Sequence, residues 1–164
     1  MIKSNKFIHL WLILLVLSTA VFSKDNSEKI KKLSKKADVI LTGKVTVKQS
    51  SWNASQTRIY TKTTVEVDEY LKGNHTGNSV EIITPGGEVG DVGELYTHMP
   101  TFKNNEEVVV FLKKDQQSQT YKVLNGEAGK IIVFEDATSG QKVTSSNVSV
   151  KQLKSQIKNS LDQQ

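Results

Sequence analysis

The chain of 164 residues contains no cysteine. That excludes disulfides, a thiol nucleophile and a lipid anchor built on an N-terminal cysteine. Histidine is scarce: three in all, one of them His9 in the N-terminal leader. His75 and His98 lack the His-x-x-x-His spacing of a zinc helix. No serine stands in a Gly-x-Ser-x-Gly elbow, and no Asp-x-Asp-x-Asp run forms an EF-hand loop. Beyond the leader, no stretch is apolar enough to cross a bilayer. Internal repeats and low-complexity tracts are absent.

What is present begins with residues 1–23, which read as an export signal. Lys3, Lys6 and His9 form a basic head, Leu10 to Leu17 an uninterrupted apolar run, and Val21 and Ser23 stand where a signal peptidase would inspect. At ~1.5 Å per residue that run is too short for a ~30 Å hydrocarbon layer, so a cleaved segment is expected rather than an anchor. The expected location is periplasmic or extracellular, with no stable membrane anchor after cleavage. A cysteine-free exported chain fits a bacterial protein better than a small animal domain, which usually leans on disulfides. About 140 residues then remain, enough for one self-sufficient core. Lys29 to Lys36 hold much of the positive excess; such a run is read as a solvated helix face, and nucleic acid is not an expected partner. Three sequons, at Asn53, Asn74 and Asn147, match what a Ser/Thr/Asn-rich chain contains by chance.

Ser27 before "EKIKKLSKKAD" predicts an N-capped amphipathic helix within residues 24–36, with Ile30, Leu33 and Ala37 on one side. "ADVILTGKVTV" reads as a strand and "VKQSSWNASQ" as a polar loop carrying Trp52. In "TRIYTKTTVEVDEYL", Ile59, Thr61, Thr63, Val65 and Val67 alternate with Tyr60, Lys62, Thr64 and Glu66, the pattern of a long strand with one face inward. "SVEIIT" is a further strand. The five apolar residues of "EEVVVFLKK" imply a strand covered on both faces. "TYKVL" and "GKIIVF" follow at the spacing of a meander. Residues 136–164 read as a linker and a helix. Ser149 and Gln152 fit a capping box, Val148 and Leu153 a hydrophobic staple, and Val150, Leu153, Ile157 and Leu161 one apolar face. The sum is a mainly β domain over 37–135. A five- to six-stranded antiparallel barrel with a short helix near each end is expected, a two-sheet sandwich being the alternative.

Ala37, Asp38, Val39, Gly43 and Val45, followed by Val65, Val67 and Leu71-Lys72-Gly73, resemble the opening of netrin-like modules, the group that includes the tissue inhibitors of metalloproteases. The stretch from "PGGEVG" through "MPTF" to "EEVVVFL" also resembles a pattern of uncharacterised secreted bacterial proteins. Together these cover Ala37 to about Leu112. The resemblance implies an OB-like five-stranded barrel and makes a secreted protease a natural partner. The inhibitors' mode of action, zinc chelation by a disulfide-locked N-terminal cysteine, does not transfer to a chain without cysteine.

The stretch "TPGGEVGDVGELYTHMP", residues 84–100, differs most from its surroundings, and both prolines of the chain stand near its ends. Catalysis is not expected: His98 with Asp91 and a distant serine is one of many triples any chain contains, and no catalytic residue is assigned. Glu88, Asp91 and Glu94, with carbonyls freed by the glycines, offer the oxygen donors calcium takes, which makes a Ca²⁺ or small-ligand site one reading. A sharp turn at Pro85-Gly86-Gly87 carrying a flexible hairpin is the plainer one. The segment exceeds the usual two to five residues of a hairpin loop, and long loops on rigid barrels often bind. The expected function is therefore a non-enzymatic, protease-inhibitor-like or other protein-binding module. Its contact residues are Trp52, Gly86, Gly87, Glu88, Asp91, Tyr96 and His98, with Tyr60 and Phe102 either core or anchor. A hydrolase of unknown substrate is the remaining alternative.

Overall fold

A computed structural model describes residues 26–73 and 77–163. The expected leader and His75 lie outside them. Helix α1 covers residues 26–36 and is followed by strands β1 (Val39–Trp52), β2 (Ile59–Lys72) and β3 (Ser79–Pro85). A small hairpin, β4 (Gly87–Val89) and β5 (Val92–Glu94), precedes β6 (Glu107–Lys114) and β7 (Tyr121–Val123). A 3₁₀ turn (Gly126–Gly129), β8 (Lys130–Glu135), β9 (Lys142–Thr144) and α2 (Val150–Asp162) complete the order.

Five strands close on themselves in the order β1-β2-β3-β7-β6, with β6 pairing back to β1 from Val39↔Leu112 to Lys44↔Glu107. This is the OB-like barrel expected from the strand pattern and the resemblance. The expected ladders were all antiparallel, whereas β3 and β7 run parallel at Ile82↔Tyr121. Parity requires it: a closed ring of five strands cannot alternate direction at every neighbour. The "TYKVL" and "GKIIVF" segments do not form a meander. They pair in succession along one edge of β6, β7 with its C-terminal half and β8 with its N-terminal half, and the 3₁₀ turn lies between them.

The register of β2 follows its alternation, with Ile59, Thr61, Thr63 and Val65 buried and Tyr60, Lys62 and Glu66 exposed. All five apolar residues of β6 are buried, and the two faces part company. Val108, Val110 and Leu112 fill the barrel with Leu41, Val45 and Ile82. Val109 and Phe111 point outward and pack with Ile40 under Ile30 and Leu33 of α1 and Leu153 and Ile157 of α2. Each such side chain contributes ~1.5–3 kcal/mol of apolar burial, so β6 is stabilised from both sides. Gly43 marks where β1 presses onto β2: a Cβ there would stand 2.2 Å from the carbonyl oxygen of Glu66.

The helix ends follow the sequence in one case and not the other. Ser149 caps α2, its hydroxyl accepting from the Gln152 N–H at 3.2 Å. Ser27 lies inside α1 instead of preceding it. Within 136–149, β9 extends the sheet beyond β8 from Val133↔Thr144 to Glu135↔Lys142.

Candidate recognition surface

Beyond Lys44, β1 leaves β6 and continues as far as Trp52↔Ile59 as the free edge of a ribbon with β2, whose other side is paired with β3 from Tyr60↔Pro85 to Glu66↔Ser79. Trp52 therefore ends a strand and is half-buried; it does not sit in a polar loop. The polar run Lys48 to Ser51 hides this strand from a reading based on alternation, because the ribbon's free part has little core to face. Asn53 closes the ribbon's end, its Oδ1 accepting from the N–H groups of Thr57 and Arg58.

Residues 84–100 dock on this ribbon. The Gly86 N–H donates to the Ile59 carbonyl at 2.8 Å. The Thr61 hydroxyl donates to the Gly86 carbonyl at 2.7 Å and lies 2.9 Å from the Ser50 hydroxyl. Gly87 has φ +135°, and a Cβ there would stand 2.3 Å from Thr61 Oγ1 and 2.4 Å from Ser50 Oγ, so no larger residue seats in this place. From that base β4 and β5 form a hairpin, Gly87↔Glu94 to Val89↔Val92, turning at Gly90-Asp91.

A polar chain ties the returning strand down. The Ile59 N–H donates to Glu94 Oε2 at 3.2 Å, and the Tyr96 hydroxyl donates to the same oxygen at 3.1 Å. Arg58 donates to the Tyr96 oxygen at 2.6 Å, and its guanidinium carbon lies 5.9 Å from the ring centroid. The hydrogen bond to the Tyr96 hydroxyl, with the neighbouring Glu94 carboxylate adding to it, holds the Arg58 guanidinium above its ordinary range.

Next comes a wall running from Met99 to Phe102. The Glu127 N–H donates to the carbonyl of His98, a residue in the left-handed region at φ 64°. Lys130 lies 4.7 Å from the Phe102 ring centroid, donates to the Thr101 carbonyl and pairs with Glu106 at 2.7 Å. Phe102 itself is core, only 2% exposed. Between hairpin and wall lies an open cleft of ≈ 370 Å³. Its floor includes Thr61, Thr84 and Gly86, and its sides Pro85, Leu95, Tyr96, Met99 and Pro100.

The structure brings Gly86, Gly87, Glu88, Glu94 and Tyr96 to this cleft. Asp91 sits at the exposed hairpin turn, while Trp52 and His98 are not among the cleft residues. Tyr60 is exposed on β2, opposite Pro85. In the hairpin register Glu94 faces with Gly87, and Glu88 projects from the other side. Among the described residues no three His, Asp or Glu side chains gather as a metal site. Sequence reasoning missed Leu95, 87% exposed and, among the described residues, the most exposed large apolar side chain. It also missed Arg58, the only arginine in the chain. The signal for Leu95 was visible: an apolar residue in a Gly-rich acidic segment with no alternation to carry it inward.

No protein-family model matches this chain, and no curated protein matches it.

Proposed function

We propose that the protein is an exported binding module that presents the 84–100 hairpin and its cleft to another exported protein. An inhibitor-like contact with a protease, by occlusion, is the specific form. The observation that carries this reading is Leu95, almost fully solvated on a hairpin whose base is pinned at Gly86, Gly87 and Glu94. A large apolar side chain held in water costs solvation free energy that a partner's surface recovers. Pinning the base in advance reduces the ordering entropy that a free loop loses on binding. Met99, Tyr96 and Pro100 beside Leu95 supply a pocketed, partly aromatic surface of the kind that anchors interfaces. The apolar N-terminal run and the netrin-like resemblance support export and a protease partner. Among the described residues no helix is long and apolar enough to cross a membrane.

The test compares wild type with Leu95→Asp in affinity capture from the native exported fraction, followed by activity titration of any captured protease. The Asp variant should fold normally and lose the captured partner, with affinity down by more than about tenfold. Equal capture by both forms would remove the hairpin from the recognition surface. Retained protease activity at saturating complex would remove the inhibitory form of the proposal.

A further inference from the structure

Charge is divided between the helices and the rest of the molecule. Helix α1 carries five lysines against Glu28, and α2 three lysines against Asp162, a net +6. The remaining described residues hold eleven cations and fourteen acids, a net −3. The two helices lie on one side of the barrel, sharing the core layer over Val109 and Phe111 and lining a common groove through Lys29, Ile30, Leu153 and Gln156. Their apolar faces are spent on that core, so the lysines point to solvent. Lys29, Lys35, Lys36, Lys151 and Lys158 are exposed and make no ion pair among the described residues, whereas Lys154 pairs with Glu69.

We propose that this helical layer docks the protein on an anionic lipid bilayer. Three observations favour that partner. First, the field is bipolar, which orients the molecule with its helices toward a negative surface and its acidic hairpin away. Thirteen residue steps along β2 lead from Lys72, which donates to the end of α1, to Ile59, which holds the hairpin. At ~3.3 Å per residue that is a contour of roughly 40 Å, so the cleft stays clear of a surface the helices touch. Second, 21 of the 22 basic residues are lysine; the single arginine, Arg58, is engaged with Tyr96. Lysine is a hydrated point charge that responds to a diffuse potential, while nucleic-acid readers draw on the bidentate arginine fork. Third, neither helix has an apolar stripe left over for insertion, so the attachment is peripheral and reversible by salt.

Vesicle sedimentation tests it, with the exported form of the protein and phosphatidylcholine vesicles with and without phosphatidylglycerol. Wild type should bind the anionic vesicles alone. Raising salt from about 0.05 M to about 0.5 M, which shortens the Debye length from ~14 Å to ~4 Å, should release most of it. Replacing Lys29, Lys35, Lys36 and Lys158 with Gln should weaken binding at least about tenfold. The same neutralisation at Lys44, Lys48, Lys103 and Lys114, outside the helices, should weaken it far less. Equal losses from the two sets would show net charge acting instead of the helical face and would overturn the proposal. So would binding to neutral vesicles, or binding to duplex DNA or dextran sulfate without binding to vesicles. Circular dichroism and thermal melts of both variants guard against misfolding, and the hairpin proposal stands or falls separately.

Discussion

Two cation–aromatic–carboxylate contacts hold the 84–106 segment to the barrel, and they differ in how much water reaches them. Lys130, Phe102 and Glu106 form the inner one, with the Lys130 and Glu106 side chains only 8% and 9% exposed. Arg58, Tyr96 and Glu94 form the outer one, where Arg58 is fully exposed. Both use the same chemistry and serve the same segment. The inner contact excludes water, so its charges cannot be separated without leaving one stranded. The outer contact is solvated, so its members can be lost singly at small cost, and its effect is on where the hairpin stands. One contact thus belongs to stability and the other to positioning.

The largest expected effect comes from breaking the inner pair. Lys130→Met leaves the Glu106 carboxylate buried without its cation and should cost about 3 kcal/mol in chemical denaturation. Adding Glu106→Gln should return much of that loss, because the stranded charge is removed and the amide still accepts from the Lys103 N–H. No recovery would mean that the ion pair is not the source of the loss. Next is Gly87→Ala, which combines a left-handed φ with contact on Thr61 and Ser50 and should cost about 2 kcal/mol. Smaller again is Tyr96→Phe, which removes the hydroxyl between Arg58 and Glu94. A stability loss of about 1 kcal/mol or less is expected, together with a larger proportional loss of partner affinity. A stability loss as large as that of Lys130→Met would erase the distinction between the two contacts.

The smallest effect concerns acid. A hydrogen bond from Lys113, and after it one from the Lys114 N–H, holds the Asp38 carboxyl below its usual range against the opposing effect of burial. A depressed carboxylate contributes stability above its unfolded pKa of ~3.9, and that contribution is lost as pH falls through the lower folded value. Asp38→Asn should therefore be less stable than wild type at neutral pH, with the gap closing below about pH 4 in pH-dependent melts. A gap that widens on acidification would contradict the sign of this contact.

Where one face is clearly apolar, the sequence announced the structure. The alternation of Ile59 to Val67 and the unbroken run Val108 to Leu112 each place a strand because burial on known faces leaves no other arrangement. Ser149 announced its own cap for a similarly local reason. The ribbon end at Lys48 to Trp52 was illegible, since its order comes from pairing with β2 and from the docked hairpin, not from its own pattern. The outer contact was equally hidden: Arg58 and Tyr96 are 38 positions apart, and only the folded ribbon brings them together. Glu94 illustrates the cost of reading a loop by composition. Grouped with Glu88 and Asp91 it looked like a cation ligand, yet its carboxylate accepts from Ile59 and Tyr96.

Residue-resolved amide hydrogen exchange of the free protein tests most directly whether the hairpin is a pinned platform. The Gly86 and Ile59 amides, bonded to the Ile59 carbonyl and the Glu94 carboxylate, should exchange as slowly as the edge of the barrel, while Asp91 and Val92 at the turn exchange fast. Gly86 and Ile59 exchanging as fast as the turn would show a mobile loop and contradict the account.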